Sequence, residues 1–260
     1  MSVMNVTVCE LPNRWAESEN TWIDFAETIQ NEQSDLVLLP EMPFYRWLAG
    51  TTQATPALWQ AAVAAHDTWM ARLSELSAPV VVGTRPIIDG GCRHNQGFVW
   101  EKTPGYRNAH TKYYLPDEEG FWEATWYQRG DGRFDVIDVN GVKIGFLICT
   151  ELWFNAHARA YAAQGIHILV CPRATPHTSV DTWVTGGRTA AVVSGAFCLS
   201  SNFNGPHIGG MAFGGTGWVI EPEAGGVMGL TSEASPILTI DIDLSAAEKA
   251  KQTYPRYVAD

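Results

Sequence analysis

Ten short runs rich in β-branched and apolar residues recur along this chain, and they constrain its fold more than any other feature. They are "NVTVCEL" (5–11), "DLVLLPEM" (35–42), "APVVVGT" (78–84), "NQGFVWEK" (95–102), "FDVIDVN" (134–140), "VKIGFLICTE" (142–151), "IHILVCPRA" (166–174), "AFCLSSNF" (196–203), "GWVIEP" (217–222) and "PILTIDIDL" (236–244). None reaches the ~18 apolar residues of a membrane span, but each is long enough for a strand. Several are continuously apolar, as strands covered on both faces are. Between them the apolar spacing becomes helical. Trp22, Phe25, Ala26 and Ile29 fall at i, i+3, i+4 and i+7, and a second stripe runs through Leu58, Ala62, Ala65, Trp69, Leu73 and Leu76. A third helix is predicted from Asn155 to Gly165, ended by the glycine, and a fourth over 181–195. Strands and helices thus alternate in two series, before residue 80 and after 142, with hairpin-like strands between them. That pattern predicts an α/β layered sandwich.

No Pro/Gly/Ser-rich linker or block of charge divides residues 1–260, so a single domain is expected. The apolar fraction of 46% can fill its core, and the net charge of −11 is spread along the sequence. With no basic stripe, neither nucleic acid nor an anionic membrane is an expected partner. The opening "MSVMNVTVCELPNRW" has no basic leader and meets Glu10 early, so a cytoplasmic location is expected. The five cysteines are odd in number and contain no CxxC pair, which indicates neither a disulfide framework nor a zinc site.

Three stretches carry candidate chemistry. In "LVLLPEMPFYRW" an apolar strand delivers Glu41 to its carboxyl end, where α/β proteins gather their sites; the plain alternative is a solvated loop carboxylate. In "HTKYYLPDEEGFWEATWYQRGD" (110–131) Lys112 is flanked by aromatics, and Asp117, Glu118, Glu119 and Glu123 crowd the same segment. Such crowding suits a partly desolvated pocket, or else an amphipathic loop whose lysine reaches out to water. In "GVKIGFLICTELWF" the chain turns from strand to helix at Cys149, and a sulfur near a helix N-terminus would be favoured as thiolate. Cys9, Cys171 and Cys198 lie inside apolar strands and read as inert core; Cys92, in "DGGC", reads as a loop thiol.

Together these stretches resemble the nitrilase superfamily of carbon-nitrogen hydrolases over almost the whole chain. Glu41 in "LPEM", Lys112 before "YYLPD" and Cys149 in "GFLICTELWF" match the family's Glu, Lys, Cys set in order and spacing. The resemblance makes Glu123 the family's second glutamate, ahead of Glu118 or Glu119. "GIHILVCPRATP" resembles the strand that ends in the pocket, and "SSNFNG" the family's Asn-containing segment. The implied fold is a four-layer αββα sandwich, and the implied assembly a homodimer or larger homo-oligomer. Two departures stand out. Tyr114 replaces the histidine that many relatives carry two positions after the lysine. Thr150, Glu151 and Leu152 replace the Trp-Glu-Asn of true nitrilases, which favours an amide substrate over a nitrile.

Amide hydrolysis needs a nucleophile, a proton acceptor that later donates, and a positive group for the oxyanion. Cys149, Glu41 and Lys112 supply one each, with Thr150 contributing a backbone N–H and Glu123 holding Lys112 and the water. Moving a thiol proton to a free glutamate spans about 4 pK units, or roughly 5–6 kcal/mol, so the surroundings must close that gap. No metal or organic cofactor is required, and the chain lacks HExxH, a Walker loop and a GxSxG elbow. Phe44, Tyr45 and Trp47 follow the glutamate, Trp122 and Trp126 the lysine, and Trp153 and Phe154 the cysteine. These rings are either core packing or the lining for a medium-sized apolar acyl group. Arg173 and His177 are candidates for reading a substrate carboxylate, Arg173 also for a structural ion pair. The expected activity is therefore hydrolysis of a small-molecule amide or N-carbamoyl group. The alternatives are a nitrilase, a papain-like Cys-His hydrolase drawing on the seven histidines, and a noncatalytic binding module.

Overall fold

The structure, a computed structural model, describes residues 3–206 and 211–258. In chain order the elements are β1 (Val3–Pro12), α1 (Glu19–Glu32), β2 (Leu36–Leu38), α2 (Pro56–Met70), β3 (Val80–Asp89), β4 (Cys92–Glu101) and β5 (Gly105–Thr111). A small hairpin, β6 (Asp117–Glu118) and β7 (Phe121–Trp122), leads into the single turn α3 (Glu123–Trp126). Then come β8 (Ile137–Val139), β9 (Val142–Phe146), α4 (Asn155–Ala163), β10 (Ile168–Pro172), α5 (Val180–Ser194) and β11 (Phe197–Pro206). The described chain finishes with β12 (Ala212–Gly214), β13 (Trp218–Ile220), β14 (Val227–Leu230), β15 (Ile237–Asp243) and α6 (Leu244–Ala250).

Two sheets form. One runs β5-β4-β3-β2-β1-β15 and the other β14-β13-β11-β10-β9-β8, and they join at one corner where Glu10 to Pro12 pair in parallel with Asn202 to Asn204. Strand periodicity sorts the side chains between layers. Val6, Val8, Leu36, Leu38, Val80 and Val82 face the second sheet, where they share a core with Phe146, Val170 and Leu199. The alternate residues Cys9, Val37, Leu39 and Val81 face outward onto Trp22, Phe25 and Ile29 of α1 and Trp59 and Ala62 of α2. α4 and α5 cover the far side of the second sheet, which completes a helix-sheet-sheet-helix stack. Truncating an inner residue such as Leu38 to Ala would cost about 2–5 kcal/mol, because both sheets close on it.

Local signals explain where elements begin and stop. Thr55 caps α2 by accepting the Leu58 N–H at 3.2 Å, and Pro56 occupies the first turn, where no donor is needed. The long apolar stripe does not form one helix: α2 stops at Met70, and Leu73–Leu76 forms a separate 3-10 turn. The stripe persists because residues three apart in such a turn return to the same side, so Leu73 and Leu76 are still fully buried. Gly165, with φ of 76°, follows the end of α4. β5 is not legible because it is an edge strand whose polar residues, Arg107, Asn108, His110 and Thr111, fall on both faces and erase the two-residue period. Among the described residues, no helix is long and apolar enough to cross a membrane.

Candidate active site

Four segments converge at the carboxyl end of the first sheet. β2 ends at Leu38, and Pro40 then removes a ladder donor and lets the chain leave the sheet. Met42 takes a left-handed φ of 45° and donates its N–H to Thr84 Oγ1 at 2.8 Å, while the Glu41 N–H reaches the Arg173 carbonyl at 3.3 Å. That turn leaves Glu41 fully buried. Lys112 lies one residue past β5; its N–H donates to the Asn95 carbonyl at 2.9 Å and its own carbonyl accepts the Gly130 N–H at 3.0 Å. Only glycine fits there, because a Cβ on residue 130 would stand 2.4 Å from the Thr111 carbonyl oxygen. Glu123 opens α3, so the hairpin before it sets its direction.

Cys149 departs from expectation. No long helix begins at the cysteine: a 3-10 turn spans Cys149–Trp153, and α4 starts only at Asn155. Cys149 itself sits at φ 49°, a conformation that costs a non-glycine residue about 1–2 kcal/mol and turns its sulfur away from the strand. A short turn offers little helix dipole, and the thiol is not predisposed to ionise. Burial pushes its pKa well up and the Glu41 carboxylate adds to that, outweighing the opposing pull of Lys112.

The polar centre is fully buried and closely bonded. Lys112 Nζ lies 2.7 Å from Glu41 Oε1 and 2.6 Å from Glu123 Oε2, and all three side chains have no exposure. Burial opposes the lysine's charge, but Glu123 and then Glu41 hold its pKa above the ordinary range. Burial raises the Glu41 pKa to about 7 against the pull of Lys112, with Glu123 adding to the rise; Glu123 is raised for the same first reason. Glu41 faces the Cys149 thiol. Glu41 Oε2 and Glu123 Oε1 are buried and accept no hydrogen bond among the described residues. Two of the lysine's three N–H groups are taken by the carboxylates, which leaves one for a third acceptor.

Four participants went unnoticed in the sequence. Asn95 Nδ2 donates to Glu41 Oε1 at 2.7 Å, and the Tyr127 hydroxyl donates to Glu123 Oε2. Glu151 accepts the N–H groups of Ile148 and Tyr113 at 2.8 and 2.7 Å, and its oxygens lie 2.9 and 3.0 Å from His110 Nε2. The signal for Asn95 and Glu151 was polarity inside otherwise apolar strand text.

The remaining candidates scatter. Trp47 is buried, with its indole N–H on the Gly120 carbonyl at 3.2 Å, and Trp122 is half-buried in the hairpin. Trp153 is 42% exposed and lies against Trp183 and Gly186 of α5. Thr150 is half-buried beside Cys149. His177 is exposed in a 3-10 turn before α5. Glu118 and Glu119 are exposed, away from the buried cluster. Arg173 is buried, with its guanidinium 4.0 Å over Trp218. It donates to Ser200 Oγ, Thr175 Oγ1 and the Thr216 carbonyl, and among the described residues it has no ion-pair partner. Tyr114 pairs its hydroxyl with His157 Nε2 at 3.0 Å. Cys9, Cys171 and Cys198 are buried, Cys92 is exposed at the start of β4, and His207 lies outside the described residues.

An αββα stack with a buried Glu-Lys-Glu cluster facing a cysteine defines a class of protein: a layered sandwich with a thiol beside two lysine-paired carboxylates. Within that class, residues 5–252 match the carbon-nitrogen hydrolase family model, and the chain belongs to that family. It is 27% identical over 206 residues to a citrullinase from Francisella tularensis, covering 74% of this chain and 71% of that protein. It is 26% identical over 219 residues to a glutamine-dependent NAD(+) synthetase from Rhodobacter capsulatus, covering 83% of this chain but only 38% of the synthetase. A carbon-nitrogen hydrolase structure from Helicobacter pylori superposes with a TM-score of 0.87 at 21% identity, covering 99% of this chain and 95% of that one, and so shares the fold.

Proposed function

We propose that this protein hydrolyses an amide or N-carbamoyl bond of a small molecule through a thioester on Cys149. The observation that carries this reading is the pair of buried carboxylate oxygens, Glu41 Oε2 and Glu123 Oε1, that have no donor among the described residues and belong to the two carboxylates paired with Lys112. Buried acceptors left bare cost about 1–3 kcal/mol each, and a substrate NH2 group has the two donors that would satisfy them. A nitrile has none. The relatives named for glutamine dependence and for citrulline fit substrates with such groups.

In the proposed cycle the Cys149 thiol proton moves to Glu41 as sulfur attacks the carbonyl carbon. Because the thiol's pKa is raised, transfer accompanies attack and no thiolate stands ready beforehand. The oxyanion takes the third N–H of Lys112 and the Thr150 backbone N–H. The carbon-nitrogen bond then breaks, and Glu41 returns the proton to the leaving nitrogen, which departs as ammonia or an amine. Water gives a proton to Glu41 and its hydroxyl attacks the thioester; the sulfur leaves and recovers that proton, and the acid is released. We further propose a homodimer or larger assembly; the exposed Trp153 and Phe154 beside the nucleophile turn support it.

The test is to trap the acyl group. The protein is incubated with aliphatic, arylalkyl, carbamoyl and ω-carboxy amides beside the matching nitriles, quenched in acid and mapped by peptide mass. Acylation at Cys149, with amides turned over faster than nitriles, is the expected result. An adduct on another residue overturns the site, and faster nitrile turnover overturns the substrate class.

A further inference from the structure

We infer that Asn95 and Tyr127 are positioning residues that divide each active-site carboxylate into an anchored oxygen and a working one, which makes Glu41 Oε2 the atom that takes the Cys149 proton. This rests on the hydrolase reading above and says which atoms carry it out.

Hydrogen bonds and ion pairs, with one contact between Tyr127 and Asn95, close a ring of five side chains. Lys112 Nζ reaches Glu41 Oε1 at 2.7 Å and Glu123 Oε2 at 2.6 Å. The Tyr127 hydroxyl donates to that same Glu123 oxygen and also contacts Asn95, whose Nδ2 donates to Glu41 Oε1 at 2.7 Å. The Asn95 amide has only one workable orientation, since its oxygen would repel the carboxylate. Each carboxylate thus has one oxygen with two donors and one, Oε2 in Glu41 and Oε1 in Glu123, that is buried with none. Two donors make an oxygen less basic and fix the rotation of the group. The proton therefore goes to the bare oxygen. Once Glu41 carries it there, Oε1 is the carbonyl oxygen of a neutral carboxyl and still accepts both N–H groups. The ring need not rearrange as the proton is taken up and returned, which is the condition for preorganised proton transfer. Without Asn95, Glu41 would be held by Lys112 alone and either oxygen could turn toward the sulfur.

Glu41 is faced by Lys112 after β5, by Glu123 and Tyr127 on and after α3, and by Cys149 after β9. Of the ring's donors to Glu41, Asn95 is the uncharged one, so its removal alters the base while leaving those four ionisable neighbours in place. The loss of a donor from a buried carboxylate favours its protonated form.

The experiment follows Cys149 alkylation by iodoacetamide against pH, together with kcat and KM for a turned-over amide, in N95A, N95D and Y127F. N95A should move the acid limb of alkylation up by about one pH unit and lower kcat by about 10- to 100-fold, with KM changing less than about threefold. N95D keeps the shape, replaces the donor with an acceptor, and should move the limb at least as far. Y127F keeps the ring volume and should lower kcat about tenfold with little change in KM. A merely structural role would lower thermal stability and leave the limb where it was. If the limb stays put in both Asn95 variants and Y127F turns over like the unsubstituted protein, the inference falls while the hydrolase reading stands. If Cys149 of the unsubstituted protein shows no acid limb at all, both fall.

Discussion

Glu151 Oε1 accepts the backbone N–H of Tyr113 at 2.7 Å, and this bond ties the turn that carries Cys149 to the strand end that carries Lys112. Its other oxygen takes the Ile148 N–H at 2.8 Å, immediately before Cys149. His110 Nε2 lies against both oxygens while its Nδ1 meets the Arg133 carbonyl at 3.1 Å, so the carboxylate is gripped from three sides. Glu151 has no exposure, and it touches residues adjacent to both Cys149 and Lys112. The left-handed backbone at Cys149 is held by this arrangement.

Glu151→Gln should therefore damage both stability and rate. Whichever way the amide turns, its NH2 meets either the Ile148 or the Tyr113 N–H, so one tie must break. Breaking a buried charged contact typically costs about 3–5 kcal/mol, which urea unfolding would register. Turnover by the fraction that remains folded should fall at least about tenfold, with KM affected less. Wild-type turnover and stability in this variant would show that the tie does not position the nucleophile.

The pH dependence follows from Glu41. Only its carboxylate form can accept the thiol proton, and burial has raised its pKa to about 7. As pH falls through that value the group becomes protonated and kcat/KM should drop, about tenfold per unit well below it. The apparent value belongs to Glu41 and Glu123 together, since they share Lys112. The lysine's pKa is raised, so no falling limb is expected from it through the ordinary lysine range. A rising limb near the usual glutamate value of 4.5 would count against the buried base.

Cys149→Ala should abolish turnover and change unfolding stability by only about 1 kcal/mol, since the sulfur meets the Ala174 carbonyl only at a long 4.0 Å. Intact-protein mass after incubation with an amide provides the second readout, because the variant should carry no acyl group. Residual turnover above a few per cent would remove the thiol from the mechanism.

Much of this was legible, and the limits have physical reasons. Continuous apolar runs marked the buried strands, and the 3.6-residue stripes marked α1 and α2, because burial on defined faces imposes those periods. Glu41 and Cys149 stood out where strand text gave way to polar text, and Lys112 because aromatics flank it and acids crowd its segment. Asn95 and Glu151 did not, because a polar residue that reaches into a site looks in one dimension like one that reaches into water. Asn95 finds its partner 54 positions away, and Glu151 finds Tyr113 38 positions away. From Cys149 onward the chain forms a 3-10 turn and then a helix that begins at Asn155, as the sequence predicts, and the Phe154 backbone, at φ −94° and ψ 70°, separates the two. Trp153 and Phe154 sit at that break, which is why they emerge on the surface.

Arg173 provides the last prediction, because its surroundings separate two roles the sequence left open. All three of its side-chain nitrogens donate to neutral oxygens, Ser200 Oγ at 2.7 Å, Thr175 Oγ1 at 2.6 Å and the Thr216 carbonyl at 2.8 Å. Its face lies 4.0 Å from the Trp218 ring, and burial pushes its pKa down to about 10. Those bonds join β10, the loop after it, β11 and the approach to β13, so the guanidinium fastens neighbouring segments of the second sheet to one another. Arg173→Lys keeps the charge but cannot span three acceptors or stack flat on the indole, so it should destabilise by about 2–4 kcal/mol. The discriminating measurement is the ratio of kcat/KM for an ω-carboxy amide to that for its neutral analogue. A fastening role leaves the ratio within about threefold of the unsubstituted protein, whereas a carboxylate-reading role would collapse it by about tenfold or more. A collapsed ratio with unchanged stability would overturn the fastening role.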